Sequence, residues 1–399
     1  MHDGRRADIA YLVGLAVGIA GLIVFFLDLR IAVLGFDDFS LIWSGPRAFL
    51  TGHDPYDPAT WRDTQVGIVR GLPPSQAVYL YPPWVTIALV PFALLSARVA
   101  VVVWTLIGML AAVVAMRALL RKYLPSIDWA HGVVGLLLMF SAPAAVTFLI
   151  GQWTFLFVAA LIGMVLCLSS GRPAAAGLLA VVMLVKPPLF VFTAAALAVR
   201  ALWPRPIEPL TGRRFVVVAT TAGIATIAIS WLVIPSWWPA WFEYVVAVQI
   251  GIEPVTIQTL SIQLFGPNSG WFAAPVILAM VFVALQFDPR SDGWLPVWFT
   301  LSSAGAIYSN TYDLLLLLIP IVIAAGALAS QKRAALLILA GFVLMFLVMW
   351  YLHTIYVRGY AAGVALGVFV IITVSLWPQR RQVTSMPEIA ALRTSPTVP

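Results

Sequence analysis

Apolar runs fill most of this chain, and polar residues are pushed into short clusters between them. A helix needs roughly 20 apolar residues to cross the hydrocarbon core of a bilayer. On that measure the runs at 8–29, 98–119, 131–149, 152–169, 173–186, 188–203, 215–234, 271–287, 294–309, 312–329, 334–352 and 359–377 are predicted spans, about twelve transmembrane helices in all. The stretch 82–96, PPWVTIALVPFALLS, is apolar but short, opens on two prolines and carries Pro91 inside. Whether it crosses decides the sidedness of everything after it. If it does not, sixteen of the 23 Lys and Arg fall on the side of the N-terminus and seven on the other, the asymmetry that cytoplasmic loops show. If it does, Arg117, Arg121, Lys122, Arg172 and the cluster from Arg200 to Arg214 land outside. The stretch is therefore expected to be interfacial or re-entrant at the outer surface.

This threading predicts an all-α polytopic membrane protein with both termini cytoplasmic. Residues 1–377 form one transmembrane domain, 30–97 and 235–270 face outward, and 378–399 make a polar cytoplasmic tail whose composition predicts disorder. The first run has no small-residue cleavage site after it, so it reads as a retained helix. In the first outer segment Asp38 is the expected N-cap of an amphipathic helix running through Phe39, Leu41, Ile42 and Trp43 and closing near Gly52. Trp237, Trp238, Trp241, Phe242 and Tyr244 in the second predict a helix lying at headgroup level.

Composition agrees. Of 399 residues 62% are hydrophobic and only 10% charged, where soluble domains carry about 25% charged; the mean hydropathy is +0.99. The net charge of +7 comes from basic residues at the ends of apolar runs, which speaks for membrane orientation and against nucleic acid. The single Cys167 excludes an intrachain disulfide, and no Cys or His cluster has the spacing of a metal site.

Charge is scarce, so its placement carries information. Asp37 and Asp38 follow the first run directly; they read either as a cap and a solvated neighbour or as a general base for a hydroxyl group, and the pair is also compatible with a divalent cation. Lys186, in MLVKPPLF, either snorkels to the interface or binds an anion such as a lipid phosphate beside a helix start. Arg358, in YVRG, and Arg47 are further cations of that kind. Asp313, in YSNTYDLLLLLIP, is a helix cap or orients a sugar hydroxyl. Gln152, in LIGQWTFL, is a helix-to-helix hydrogen bond or a sugar contact. Tyr81, Tyr312 and His53 stand at predicted outer helix mouths, where they would line a substrate site, although His53 sits in a turn that suits simple solvation.

In order along the chain, DFSLIWSGPRAFLTGHDPYDP, YPPWVTIALVPFALL, IGQWTFLFVAALIGMVL, GLLAVVMLVKPPLF and SNTYDLLLLLIP resemble the outer loop, Tyr-Pro-Pro stretch, Gly-Gln junction, Lys-Pro motif and late Tyr-Asp segment of C-type (GT-C) membrane glycosyltransferases of glycosyltransferase family 87. The resemblance spans about residues 8–330, and such enzymes are similar to mannosyltransferases dependent on polyprenyl-phosphate-mannose. It implies the GT-C fold with a helical first outer loop, a polyprenyl-phosphate sugar as donor and a lipid or glycan acceptor. It also implies a metal-independent, inverting transfer on the outer face of a bacterial plasma membrane. It casts Asp38 as the base and Lys186 as the residue near the donor phosphate. Several branches carry Trp and His where this chain has Tyr312, Asp313 and Leu314, so Arg358 or Lys186 is expected to take over that histidine's part. The rival reading is a lipid or sugar transporter without catalysis, for which an internal inverted repeat is expected and none is visible.

Overall fold

The computed structural model describes residues 2–28, 37–57, 61, 79–202, 209–235, 237–239, 241–243, 255–289, 291–306, 308–328, 332–354 and 360–380. Arg358 and the tail beyond 380 lie outside these residues. Every regular element among them is helical. In chain order these are α1 (His2–Asp28), α2 (Asp37–Leu50), α3 (Pro83–Ala93), α4 (Ala97–Tyr123), α5 (Asp128–Phe140), α6 (Ala142–Ile150), α7 (Thr154–Ser169), α8 (Pro173–Ala180), α9 (Pro187–Leu202), α10 (Pro209–Val233), α11 (Ile257–Phe265), α12 (Ala273–Ala284), α13 (Trp294–Ala304), α14 (Leu318–Ala327), α15 (Lys332–Thr354) and α16 (Tyr360–Leu376). Short 3-10 turns at Val181–Val185, Pro267–Phe272 and Thr311–Leu317 lead into or out of these helices.

Among the described residues five stretches are long and apolar enough to cross a membrane: Arg5–Val24, Ala97–Tyr123, Gly212–Val233, Pro267–Ala284 and Ala361–Gln379. The expected span at 131–149 is two helices, α5 and α6, bent by 40° at Ser141. Ser141 is the cause: its extended backbone ends α5, its hydroxyl accepts from the Ala144 amide, and Pro143 follows in the first turn of α6. The other expected spans appear as shorter apolar helices, and α13 ends at Ala304 rather than at 309. The stretch 82–96 holds α3, whose Val85, Thr86, Leu89 and Ala93 are buried.

Helix α1 packs along α5 at backbone contact distance. A Cβ on Gly14 would stand 1.9 Å from the Gly132 carbonyl oxygen, and one on Gly135 2.8 Å from that of Tyr11. In lipid, where apolar side chains gain little by leaving solvent, such small-residue seams let dispersion and close approach hold helices together. Helix α4 is tied to α1 by polar contacts, the Tyr11 hydroxyl donating to the Val113 carbonyl at 2.8 Å and Asp8 pairing with both Arg117 and Arg121. The lipid-facing character of α10 follows from its exposed Val217, Ile224 and Leu232.

The core is one continuous apolar cluster running from Tyr11 to Leu376, with α14 almost wholly inside it. A second, smaller cluster is aromatic: Tyr56, Trp61, Tyr79 and Trp237 pack with Leu41 and Ile234. It joins residues of 37–81 to residues 234–242, with Trp238 and Phe242 stacked and exposed on its rim.

Candidate active site

Polar side chains from five separate stretches meet where helices begin or break. The first is Asp38. It stands in the first turn of α2, which starts at Asp37, so Asp38 is not the N-cap expected of it. Its Oδ2 instead accepts a 2.5 Å hydrogen bond from Nε2 of Gln152, 114 residues away.

Gln152 reaches that position because α6 ends on a left-handed residue. Gly151 has φ +67, its amide closes the helix on the Thr147 carbonyl, and its own carbonyl accepts from the Trp104 indole at 2.9 Å. A Cβ there would stand 2.6 Å from Cβ of Phe39. The Phe39–Gly151 contact and the Asp38–Gln152 hydrogen bond are thus adjacent pairs across one seam. Gln152 makes the helix-to-helix bond that was one of its two expected roles.

Tyr81 supplies the next wall. The residue is half-buried, and its phenol hydrogen-bonds with the Gln152 side chain and lies in the field of Asp38. Burial, with the Asp38 charge adding to it, pushes this hydroxyl well above the usual phenol range, so it stays protonated. The backbone beneath it is pinned on both sides: the Tyr56 hydroxyl donates to the Tyr81 carbonyl at 2.6 Å and the Trp241 indole to the Leu80 carbonyl at 2.8 Å. Tyr56 itself is turned inward by an Asx turn, its amide donating to Asp54.

Lys186 does not snorkel. It sits in the break between the 3-10 turn Val181–Val185 and α9, with a side chain only 16% exposed, and its ammonium pairs with Oδ2 of Asp313. The ammonium also lies 5.1 Å from the ring centroid of Tyr308 and 4.8 Å from that of Tyr312, a cation held between two aromatic faces. Asp313 opens the 3-10 turn before α14 and caps it backward, Oδ2 accepting the Asn310 amide at 2.7 Å. Its Oδ1 is buried without a hydrogen-bond partner among the described residues. Asn310 donates to the hydroxyls of Tyr308 and Tyr312 at 3.2 and 2.9 Å, which fixes the two rings. Tyr312 lies in the fields of both Asp313 and Asp38, so the carboxylate of α2 and the lysine pair belong to one site.

Arg47 and His53 are not brought into it. Arg47 lies nine residues beyond Asp38, about 14 Å along the helix, and donates to the Ala93 carbonyl at the end of α3. His53 is exposed in the turn after α2, its Nδ1 3.0 Å from the Thr51 hydroxyl. Tyr308 and Asn310 carry more of the site, and Tyr56 more of its support, than the sequence indicated. Among the described residues no group of three His, Cys, Asp or Glu is placed to hold a metal ion.

The site therefore offers a carboxylate, a caged lysine and phenolic walls at the end of a bundle of apolar helices. The profile of glycosyltransferase family 87 matches residues 79–376, well over half of the chain. The chain belongs to glycosyltransferase family 87. This membership makes the protein a membrane-bound transferase of sugars, and with its apolar helices it implies a lipid-linked sugar donor and an acceptor in general terms. The matched region contains Tyr81, Gln152, Lys186, Tyr312 and Asp313 and begins beyond Asp38. It continues past the late Tyr-Asp segment to the end of α16. The chain has no match among curated proteins.

Proposed function

We propose that this family 87 glycosyltransferase moves a mannosyl group from a polyprenyl-phosphate donor to a hydroxyl of a lipid or glycan acceptor, with inversion and without a metal ion. Asp38 takes the proton of the acceptor hydroxyl; that oxygen attacks the anomeric carbon; the bond from this carbon to the phosphate oxygen breaks, and the phosphate leaves with the electron pair. Lys186 stabilises the charge that grows on the leaving phosphate, an effect worth a few kcal/mol where water is excluded. Gln152 orients Asp38, and Asp313, through its partnerless oxygen, receives a donor hydroxyl. The reaction runs at the non-cytoplasmic face of a bacterial plasma membrane, with both termini cytoplasmic and the shorter apolar helices completing about twelve crossings.

The observation that carries this reading is the position of Lys186. An apolar groove of about 410 Å³ runs between α8, α9 and α10, and its lining includes Met183, Leu184, Pro187, Phe190 and Phe215. Leu184 and Pro187 bracket Lys186 in the chain; Lys186 itself is not in the lining, but a prenyl chain lying in the groove would end within a few residues of it.

The test is transfer from radiolabelled polyprenyl-phosphate-mannose by purified protein, with and without EDTA, beside Asp38→Asn. Transfer is expected to survive EDTA and to fall about 10²- to 10⁴-fold in the variant, the range of a lost general base. Neither transfer nor donor hydrolysis with any prenyl-phosphate sugar would overturn the proposal; full activity of Asp38→Asn would remove Asp38 from it.

A further inference from the structure

The Lys186–Asp313 pair presents a difficulty for a site that must accept an anion. Its only described cation already has a carboxylate against it, and Asp38 is a second negative charge nearby. A phosphate sharing Lys186 with Asp313 would place two anions on one ammonium in a site largely shut from water, where like charges repel strongly.

The two partners, however, do not depend on each other equally. Asp313 keeps a second donor, the Asn310 amide at 2.7 Å, and it stands in the first turn of a helix, where backbone amides and the helix dipole favour a carboxylate. Releasing the lysine does not leave it stranded. The Lys186 ammonium has no other hydrogen-bond acceptor among the described residues, only the faces of Tyr308 and Tyr312, which hold a cation without fixing its direction. The Lys186 backbone is fixed in the junction between a 3-10 turn and the Pro187–Pro188 start of α9, bonded to Met183 on one side and Leu189 on the other, so an exchange of partners needs only the side chain to move.

We propose that Asp313 is a place-holding counter-ion: it keeps Lys186 neutralised and inside the aromatic cage while the site is empty, and the donor's phosphate displaces it. The exchange rests on the donor reading above. It makes Asp313 a positioning residue that opposes phosphate binding, whereas a carboxylate that merely fixed the lysine for its ligand would assist it. The sign of the effect separates the two.

The experiment measures binding of a sugar-free polyprenyl phosphate to the full-length protein in nanodiscs. Wild type is compared with Asp313→Asn, which keeps an acceptor for the Asn310 amide but loses the charge, and with Lys186→Met. Asp313→Asn is expected to bind about tenfold more tightly, the order of relief of one partly screened like charge, and Lys186→Met to lose binding. Equal or weaker binding to Asp313→Asn, with wild type binding and Lys186→Met not, overturns the counter-ion while keeping the donor site. Binding that ignores Lys186→Met, or is absent in both wild type and Asp313→Asn, overturns both.

Removing the charge leaves the lysine unpaired and tests folding as well. A second measurement on wild type therefore follows the infrared difference spectrum on adding the same polyprenyl phosphate. A shift in a carboxylate stretching band, absent in the neutral double variant Lys186→Met/Asp313→Asn, is expected; an unchanged carboxylate region on saturation overturns the exchange.

Discussion

Gly151 is a residue whose backbone and missing side chain both matter. Its φ of +67 costs a residue with a Cβ about 1–3 kcal/mol, and the Cβ would also meet Phe39 at 2.6 Å. Gly171, at φ +66, has nothing within 4 Å of its would-be Cβ, so it carries the backbone strain alone. Alanine at Gly171 should lower thermal stability by the backbone strain alone, and alanine at Gly151 by more, since its Cβ must also displace Phe39. Only Gly151→Ala should also lower turnover, by tenfold or more, because moving Phe39 separates Asp38 from Gln152; equal turnover in the two variants would show that the seam does not set the base. Tyr81 yields a pH prediction. Its hydroxyl is held well above the ordinary phenol value, so it donates below, through and beyond neutral pH, and its stabilising hydrogen bond is lost only as pH rises past about 10. Tyr81→Phe should therefore reduce turnover by one constant factor between pH 6 and 9. A factor that grows or shrinks across that range would mean that the phenol titrates there.

At the scale of elements, five of the predicted spans and the bent pair at 131–149 were legible because run length reports them, and Lys186 and Asp313 stood out because charge is rare in such a chain. The partnership between them was not legible: 127 residues separate them, and a cap and a snorkelling lysine look the same locally whether or not they meet. Asp38 was expected as a cap for the same reason; the competitor that won its carboxylate, Gln152, is brought there by a glycine-ended helix far along the chain. Tyr56 sits in a turn, yet its ring is buried and its hydroxyl carries Tyr81. The short non-helical stretch 79–82 thus hangs between the turn after α2 and the residues after α10, through Tyr56 on one side and Trp241 on the other. Trp241→Phe removes one of those bonds, worth about 0.5–1.5 kcal/mol. The expected result is a two- to tenfold fall in turnover with unchanged affinity for sugar-free polyprenyl phosphate, since Lys186 is held elsewhere; weakened phosphate affinity would argue against this division.

For the whole molecule the proposed sidedness is open to a direct measurement. Replacing the single Cys167 by alanine gives a background in which one cysteine reports one position. His53→Cys, in the exposed turn after α2, should react with a membrane-impermeant maleimide on intact cells, and Ser170→Cys, in the turn between α7 and α8, only after permeabilisation. The opposite pattern would invert the proposed orientation and put the site on the cytoplasmic side.

The glycine seam between α1 and α5 also has a meaning in time. Gly14 leaves the ribosome well before Gly132, and at synthesis rates of about 5–20 residues per second the gap is roughly 6–24 s. Through that interval α1 presents a groove of bare backbone to the bilayer with no partner to fill it, and its carboxylate, Asp8, waits almost as long for Arg117 and Arg121. A bulkier residue at Gly14 would then be felt first as newly made chains lost to proteolysis before they mature, and in the molecules that escape α1 could not close onto α5 at backbone contact.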